Sequence, residues 1–362
     1  MTTFNVGPAK VYPVLEQCLP EAYKEGILSM PHRSQDFMNL VAQTVQLLKD
    51  KLRIPSEYTV LFASSATECW EVITQSLTVQ KSYHIYSGNF GERWFNYTQQ
   101  IKPDAEGFQL DIQEEISLEQ LQKFFGFAER RGGELIIQDK ELICFTQNET
   151  SNGSQMPIET IQKVKEAFPQ QLIAIDATSS MAGVNFDWHC GDIWYASVQK
   201  CFGLPAGLAV LVLSERAIAR IMEIDDRAHY NSLAQMYDKM QKNQTTHTPN
   251  VLGIYLLKCV LAHMPSIEEV EKITKERAHF YYQLFNSILE LDLLIKNERV
   301  RSDTVIAVKG TPNTIQAVKE KALAAQLLLG NGYGPWKETT FRIANFPAIT
   351  EEEVAQLKKL FL

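Results

Sequence analysis

The sequence predicts an α/β protein, a large domain with a mainly parallel sheet followed by a smaller α+β domain, and three features of its 362 residues predict it. Short apolar runs alternate with helical patterns, the signature of a sheet covered on both faces. The chain is too long for one small core. Near residue 264 the alternation gives way to one long helical stretch and a shorter mixed segment. Composition agrees: 45% hydrophobic and 22% charged residues are those of a globular chain, and a net charge of -8 argues against extended contact with nucleic-acid phosphates.

Taken in order, residues 1–30, with Pro8, Pro13 and Pro20, read as an irregular arm that folds back on the small domain. Residues 31–263 form the large domain. Its expected strands are 58–63, 82–87, 141–147, 171–176, 192–198 and 207–213, and its helices include 67–77, 89–101, 117–130, 157–168 and 251–262. The stretch from His263 to Ile288 reads as one long helix leading into the small domain, 264–362, which has strands near 304–308 and 339–345 and helices near 313–326 and 350–361. Six scattered cysteines without a C-x-x-C pair read as reduced, mostly buried thiols, and no metal site is written. The N-terminus has no basic patch leading into an apolar stretch, and no run of eighteen apolar residues occurs, so a cytoplasmic protein is expected. No G-x-G-x-x-G or G-K-[ST] points to a nucleotide module.

In parallel α/β sheets, sites form beyond the carboxyl ends of strands. One expected strand ends in Asp176, and twenty-four residues later another runs into Gln199-Lys200. A partly desolvated lysine amine attacks aldehydes, and a carboxylate can hold a pyridinium nitrogen protonated. Each residue alone reads more readily as an ordinary strand end. Ser64-Ser65-Ala66-Thr67 opens a helix after a strand, which suits a phosphate or serves simply as an N-cap. Phe90, in GNFGERW, is placed to stack on a flat ligand or to pack in the core. Asn148-Glu149-Thr150 begins a polar turn after a strand, where an Asx-type turn would look similar.

The order of FNVGPA, HRS, GNFGERW, NETSNG, IDATSS, SVQKCFG, HTPN and FRIANFP resembles class V aminotransferases of the pyridoxal phosphate (PLP) fold type I group, most of all phosphoserine aminotransferases. The resemblance runs from Phe4 to about Pro347 and implies a seven-stranded, mainly parallel sheet. It also implies that Lys200 carries PLP, Asp176 pairs with its ring nitrogen, Phe90 stacks on the ring and Thr150 bonds its phenolic oxygen. Ser65, Ala66, Thr67 and Gln199 would hold the phosphate, with Thr248 and, less regularly, His247 supplied by the second subunit of a homodimer. Arg342 would bind the substrate carboxylate. His32 and Arg33 match a substrate-phosphate pair, and Lys337 is a further candidate cation, because the usual Gly-His-Arg element is absent from Gly332–Glu338. The implied reaction is transamination between O-phosphoserine and 2-oxoglutarate, running toward phosphoserine within serine biosynthesis. The alternative is a class V relative acting on serine, alanine or glyoxylate.

Overall fold

A computed structural model describes residues 1–125, 130–131, 134–135 and 141–361. The strands are β1 (Thr2–Phe4), β2 (Thr59–Ala63), β3 (Ser82–Tyr86), β4 (Glu106–Gln109), β5 (Leu142–Thr146), β6 (Leu172–Asp176), β7 (Ile193–Ser197), β8 (Ala209–Leu213), β9 (Asp292–Leu293), β10 (Val305–Lys309), β11 (Leu327–Asn331) and β12 (Thr340–Ala344). Those read from the sequence fall within two residues of the expected positions. β2 to β8 form a seven-stranded sheet in the order β2-β8-β7-β6-β5-β3-β4. β8 runs antiparallel to both β7 and β2, and the pairs from β7 out to β4 are parallel.

The uninterrupted apolar runs follow from this layering. Along β5 and β6, Ile143, Phe145, Ile173 and Ile175 enter one core, while Leu142, Cys144, Leu172 and Ala174 enter a second core on the opposite face. Period-two alternation thus feeds two apolar layers at once. Each such side chain contributes about 1.5–3 kcal/mol when fully buried. The second core is closed by α3 (Ala66–Leu77), through Cys69, Trp70 and Ile73, and by Trp94 of α4 (Asn89–Ile101). The first is closed by Phe37, Val41 and Leu48 of a helix at Gln35–Leu52 and by the core helix Val251–His263, apolar around most of its circumference.

The arm departs from expectation. β1 pairs in parallel with β11, within the five-stranded sheet β1-β11-β12-β10-β9. Leu15–Lys24, however, is a helix despite Pro20, and Leu15, Cys18 and Ala22 are its buried face. It packs on the core helix Val251–His263 of the large unit. Tertiary burial overrides the single missing N–H of proline. The long helix expected from His263 starts later, at Ile267: the chain bends by 82° between Val251–His263 and Ile267–Asn286, and Ser266 opens the second helix with a capping box to Glu269. Pro265 explains the break. The helix expected at 117–130 is seen as Leu118–Phe125, Arg130 lies in a short strand instead, and 126–129 are outside the described residues. All six cysteines are buried and free. Among the described residues no single helix is long and apolar enough to cross a membrane.

Candidate active site

Because β6 and β7 are parallel neighbours, their carboxyl ends open on the same edge of the sheet. Asp176 is the last residue of β6, and its Oδ1 accepts from the Thr178 amide at 2.9 Å. Beyond β7 the chain turns sharply over Lys200–Gly203, where the Gly203 amide donates to the Lys200 carbonyl at 2.9 Å. Gly203 has φ of 59°, and a Cβ there would press on the Tyr12 ring, so glycine meets both conditions of the turn. Lys200 is thereby turned inward and buried.

The Lys200 Nζ donates to Thr150 Oγ1 at 2.6 Å and lies 5.0 Å from the Phe90 ring centroid. Burial lowers its pKa from the ordinary lysine value to about 8, with the carboxylates of Asp176 and Glu149 acting in the opposite direction. Near neutrality more of this amine is unprotonated than in a solvated lysine.

Two elements hold Thr150 and Phe90 in register. Glu149 is fully buried, and its carboxylate accepts from the amides of Phe90 at 3.0 Å, Gly91 at 3.1 Å and Ser151 at 2.8 Å. It fastens the first turn of α4 to the turn that carries Thr150, satisfying amides that a helix start leaves open. Burial nevertheless raises its pKa. From the small sheet, Arg342 of β12 reaches across: Nη1 donates to the Thr150 carbonyl at 2.6 Å and Nε to the Asn331 carbonyl at 2.7 Å. Its guanidinium is buried, which lowers its pKa to about 10, still charged near neutrality.

At the other end, Ser65 caps α3, its Oγ accepting from the Glu68 amide at 3.1 Å, while the Ala66 amide donates to Ser197 Oγ at 2.7 Å. The lining of one cavity of about 270 Å³ gathers Ser65, Ala66, Thr67, Phe90, Thr150, Asp176, Gln199, Lys200 and Arg342. The arm completes it with Val6, Gly7 and Pro8.

Not all the expected residues meet here. Arg33 donates instead to Gln244 Oε1 at 3.0 Å and to the carbonyls of Thr245 at 2.7 Å and Thr246 at 3.3 Å. His32 Nδ1 is 3.5 Å from Thr248 Oγ1, and His247 bonds Thr246 Oγ1 at 3.0 Å. These residues form a separate cluster; His247 and Thr248 line a different cavity, and neither they nor His32 and Arg33 line the one around Lys200 within the chain. Desolvation, then repulsion from Arg33 and His247, lowers the His32 pKa. Lys337 is exposed and absent from the Lys200 cavity. Its loop contributes Tyr333 instead, stacked on Phe90 at 5.3 Å and 27° and lying 5.5 Å from the Arg342 guanidinium.

Tyr333, Trp70, Arg93, Asn148, Thr178 and Ser197 also line the cavity, and the sequence assigns none of them a role. Asn148 and Thr178 stood inside NETSNG and IDATSS, where a signal existed. Of these lining residues, Asn148 Oδ1, Thr178 Oγ1 and Trp70 Nε1 are buried polar atoms with no partner among the described residues. Such atoms normally find one. A polar, flat, phosphate-bearing group fits this donor and acceptor set: an amine and carboxylate at strand ends, an aromatic ring between, and a helix N-terminus at one end.

The sequence profile of class-V aminotransferases matches residues 4–326. An uncharacterized aminotransferase of Methanocaldococcus jannaschii is 29% identical over 89% of this chain and 83% of its own length. The phosphoserine aminotransferase of Rhodococcus opacus is 26% identical, covering 98% of this chain and 93% of its own. Among solved structures, a phosphoserine aminotransferase from Cytophaga hutchinsonii superposes with a TM-score of 0.90 at 32% identity, over 99% of this chain and 97% of that one. An alanine-glyoxylate aminotransferase from Nostoc, at 19% identity and a TM-score of 0.81, shares the fold. The chain belongs to the class V aminotransferases, PLP-dependent enzymes of fold type I that exchange an amino group between an amino acid and a 2-oxo acid.

Proposed function

We propose that this aminotransferase catalyses the reversible transamination between O-phosphoserine and 2-oxoglutarate, running toward phosphoserine to supply serine biosynthesis, as a homodimer in the cytoplasm. The observation that carries the reading is the pairing of His32 and Arg33 with the segment ending in Thr248, a cluster around the Arg33 cation built outside the cavity it would serve. Such a cluster has a use if a second subunit presents it to the Lys200 cavity. Arg33 would then face the substrate phosphate, and Thr248, with His247 beside it, the cofactor phosphate. The likeness to the Cytophaga hutchinsonii protein supports the same substrate. The divisions at 1–30, 31–263 and 264–362 serve as arm, cofactor unit and substrate-side unit, with the arm contributing to both of the others.

When bound, PLP supplies an electron sink for charge developing at the substrate α-carbon. Lys200 would hold it through Nζ and, as a free amine, would be the base that takes the α-proton; the Thr150 hydroxyl aims that nitrogen. Asp176 would keep the ring nitrogen protonated, and Phe90 would cover the ring. Ser65, Ala66, Thr67 and Gln199 bind the phosphate through neutral donors and the start of α3. Arg342 clamps the α-carboxylate, for which its planar fork is suited.

A second reading, a small-amino-acid aminotransferase acting on serine, alanine or glyoxylate, is favoured by one feature: the loop 332–338 brings Tyr333 to the cavity and leaves Lys337 outside it. The deciding measurement is kcat/KM for phosphoserine against serine and alanine, with 2-oxoglutarate and with glyoxylate as acceptors. A preference for phosphoserine of at least about tenfold, the lower scale of one charged hydrogen bond, is expected; a preference for alanine overturns the proposal.

A further inference from the structure

Three cations line the cavity: Lys200, Arg342 and Arg93. Two are committed, Lys200 to Thr150 and Arg342 to the carbonyls of Thr150 and Asn331. Arg93 has no hydrogen bond or ion pair among the described residues. Its guanidinium carbon instead lies 5.9 Å from the Trp70 ring centroid.

The helices explain where that puts the charge. Arg93 follows Phe90 by three residues on α4, so both side chains share the face turned to the cavity. Trp70 follows Ala66 by four residues on α3, hence stands one turn beyond the helix start. Contact between Arg93 and Trp70 therefore sets the guanidinium by α3, whereas Arg342 and Tyr333 enter from the small sheet and meet each other. The side-chain and amide donors on the α3 side, from Ser65, Ala66, Thr67, Ser197 and Gln199, are uncharged. A phosphate monoester carries nearly two negative charges at neutral pH, and a helix start offers about half a positive charge.

We propose that Arg93 is the cation that neutralises the cofactor's phosphate, docking against it from its station over Trp70. The inference rests on the reading that this phosphate sits at the start of α3, and the experiment separates the two. Protein resolved from its cofactor is titrated with PLP and with pyridoxal, which lacks the phosphate, following absorbance and tryptophan fluorescence. Arg93 is exposed, so Arg93→Gln leaves the core intact. Its PLP affinity should fall by about 10–100-fold with pyridoxal affinity unchanged, and Arg93→Lys should restore part of the loss, since the charge is kept without the fork. Thr67→Ala tests the underlying placement, and it too should weaken PLP selectively. Equal losses for both ligands in Arg93→Gln would mean that the residue only packs on Trp70 and would overturn the proposal. A selective loss in Thr67→Ala with none in Arg93→Gln would overturn it while leaving the phosphate at α3. No selective loss in either variant would overturn both. Unchanged PLP affinity with a loss of kcat/KM confined to phosphoserine would reassign Arg93 to the substrate.

Discussion

The Lys200 cavity and the Arg33–Thr248 cluster are built on opposite principles. Around Lys200, the side chains issue from strand ends and helix starts, Asp176, Thr150, Lys200 and Arg342 are buried, and each is tied to backbone or to a neighbour. Around Arg33, the contacts are exposed or half-exposed and go mostly to carbonyls of one loop. The first arrangement is preorganised and enclosed; the second is an exposed surface, which the proposed dimer would present to a second subunit's cavity. Binding chemistry and substrate choice are thus separable by mutation.

The largest effect should come from the first region. Lys200→Ala is expected to lower transamination by about 10⁴-fold or more, since it removes both the attachment point and the base, and borohydride should no longer fix PLP to the protein. Retention of more than a percent or so of the wild-type rate would show that the cavity is not the reaction centre. Arg342→Gln should reduce kcat/KM for every amino acid, by about 1.5–3 kcal/mol, because each carries the α-carboxylate. A loss restricted to phosphoserine would exchange the roles given to the two regions.

Arg33→Ala should cost a similar amount for phosphoserine alone, leaving serine and alanine within about twofold. Mixing it with Lys200→Ala sharpens the comparison: in a shared-site dimer the hybrid has one intact site, so about a quarter of wild-type sites should return at random pairing. No recovery would confine Arg33 to its own chain. The mildest effect concerns protons. With its pKa lowered to about 8, the Lys200 amine gains its free form as pH rises, so PLP uptake by cofactor-free protein should climb about tenfold per unit below pH 8 and level off above it. Uptake still climbing steeply toward pH 10 would indicate an ordinary, solvated lysine.

The sequence exposed the first region well because its geometry is carried by local pattern. An apolar run that ends in Asp176 and another that runs into Lys200 specify both strand and position, and parallel pairing supplies the rest. Tyr333 was hidden because nothing local distinguishes it from a surface tyrosine; its role follows from β12 lying beside β11, which brings Asn331 and Arg342 together. The helix Leu15–Lys24 was hidden by prolines that outweighed its apolar spacing, and the place of Lys337 outside the Lys200 cavity was hidden because sequence distance from Arg342 says nothing about the course of the 3₁₀ turn at Gly334–Trp336.

The arm has a mechanical consequence. Residues 2–4 are stitched into the small sheet, while Gly7 passes so close to Lys200 that a Cβ would sit 3.4 Å from its Cε, and the Ala9 amide is bonded to the Gln199 carbonyl at 2.9 Å. A tether this short transmits displacement: if the small sheet shifts as substrate arrives, the strand tows one wall of the lysine's chamber with it. Trimming or fusing cargo to this end would therefore act as an adjustment of the lysine's chamber itself, whereas an insertion at the exposed loop position Leu289 leaves that linkage untouched.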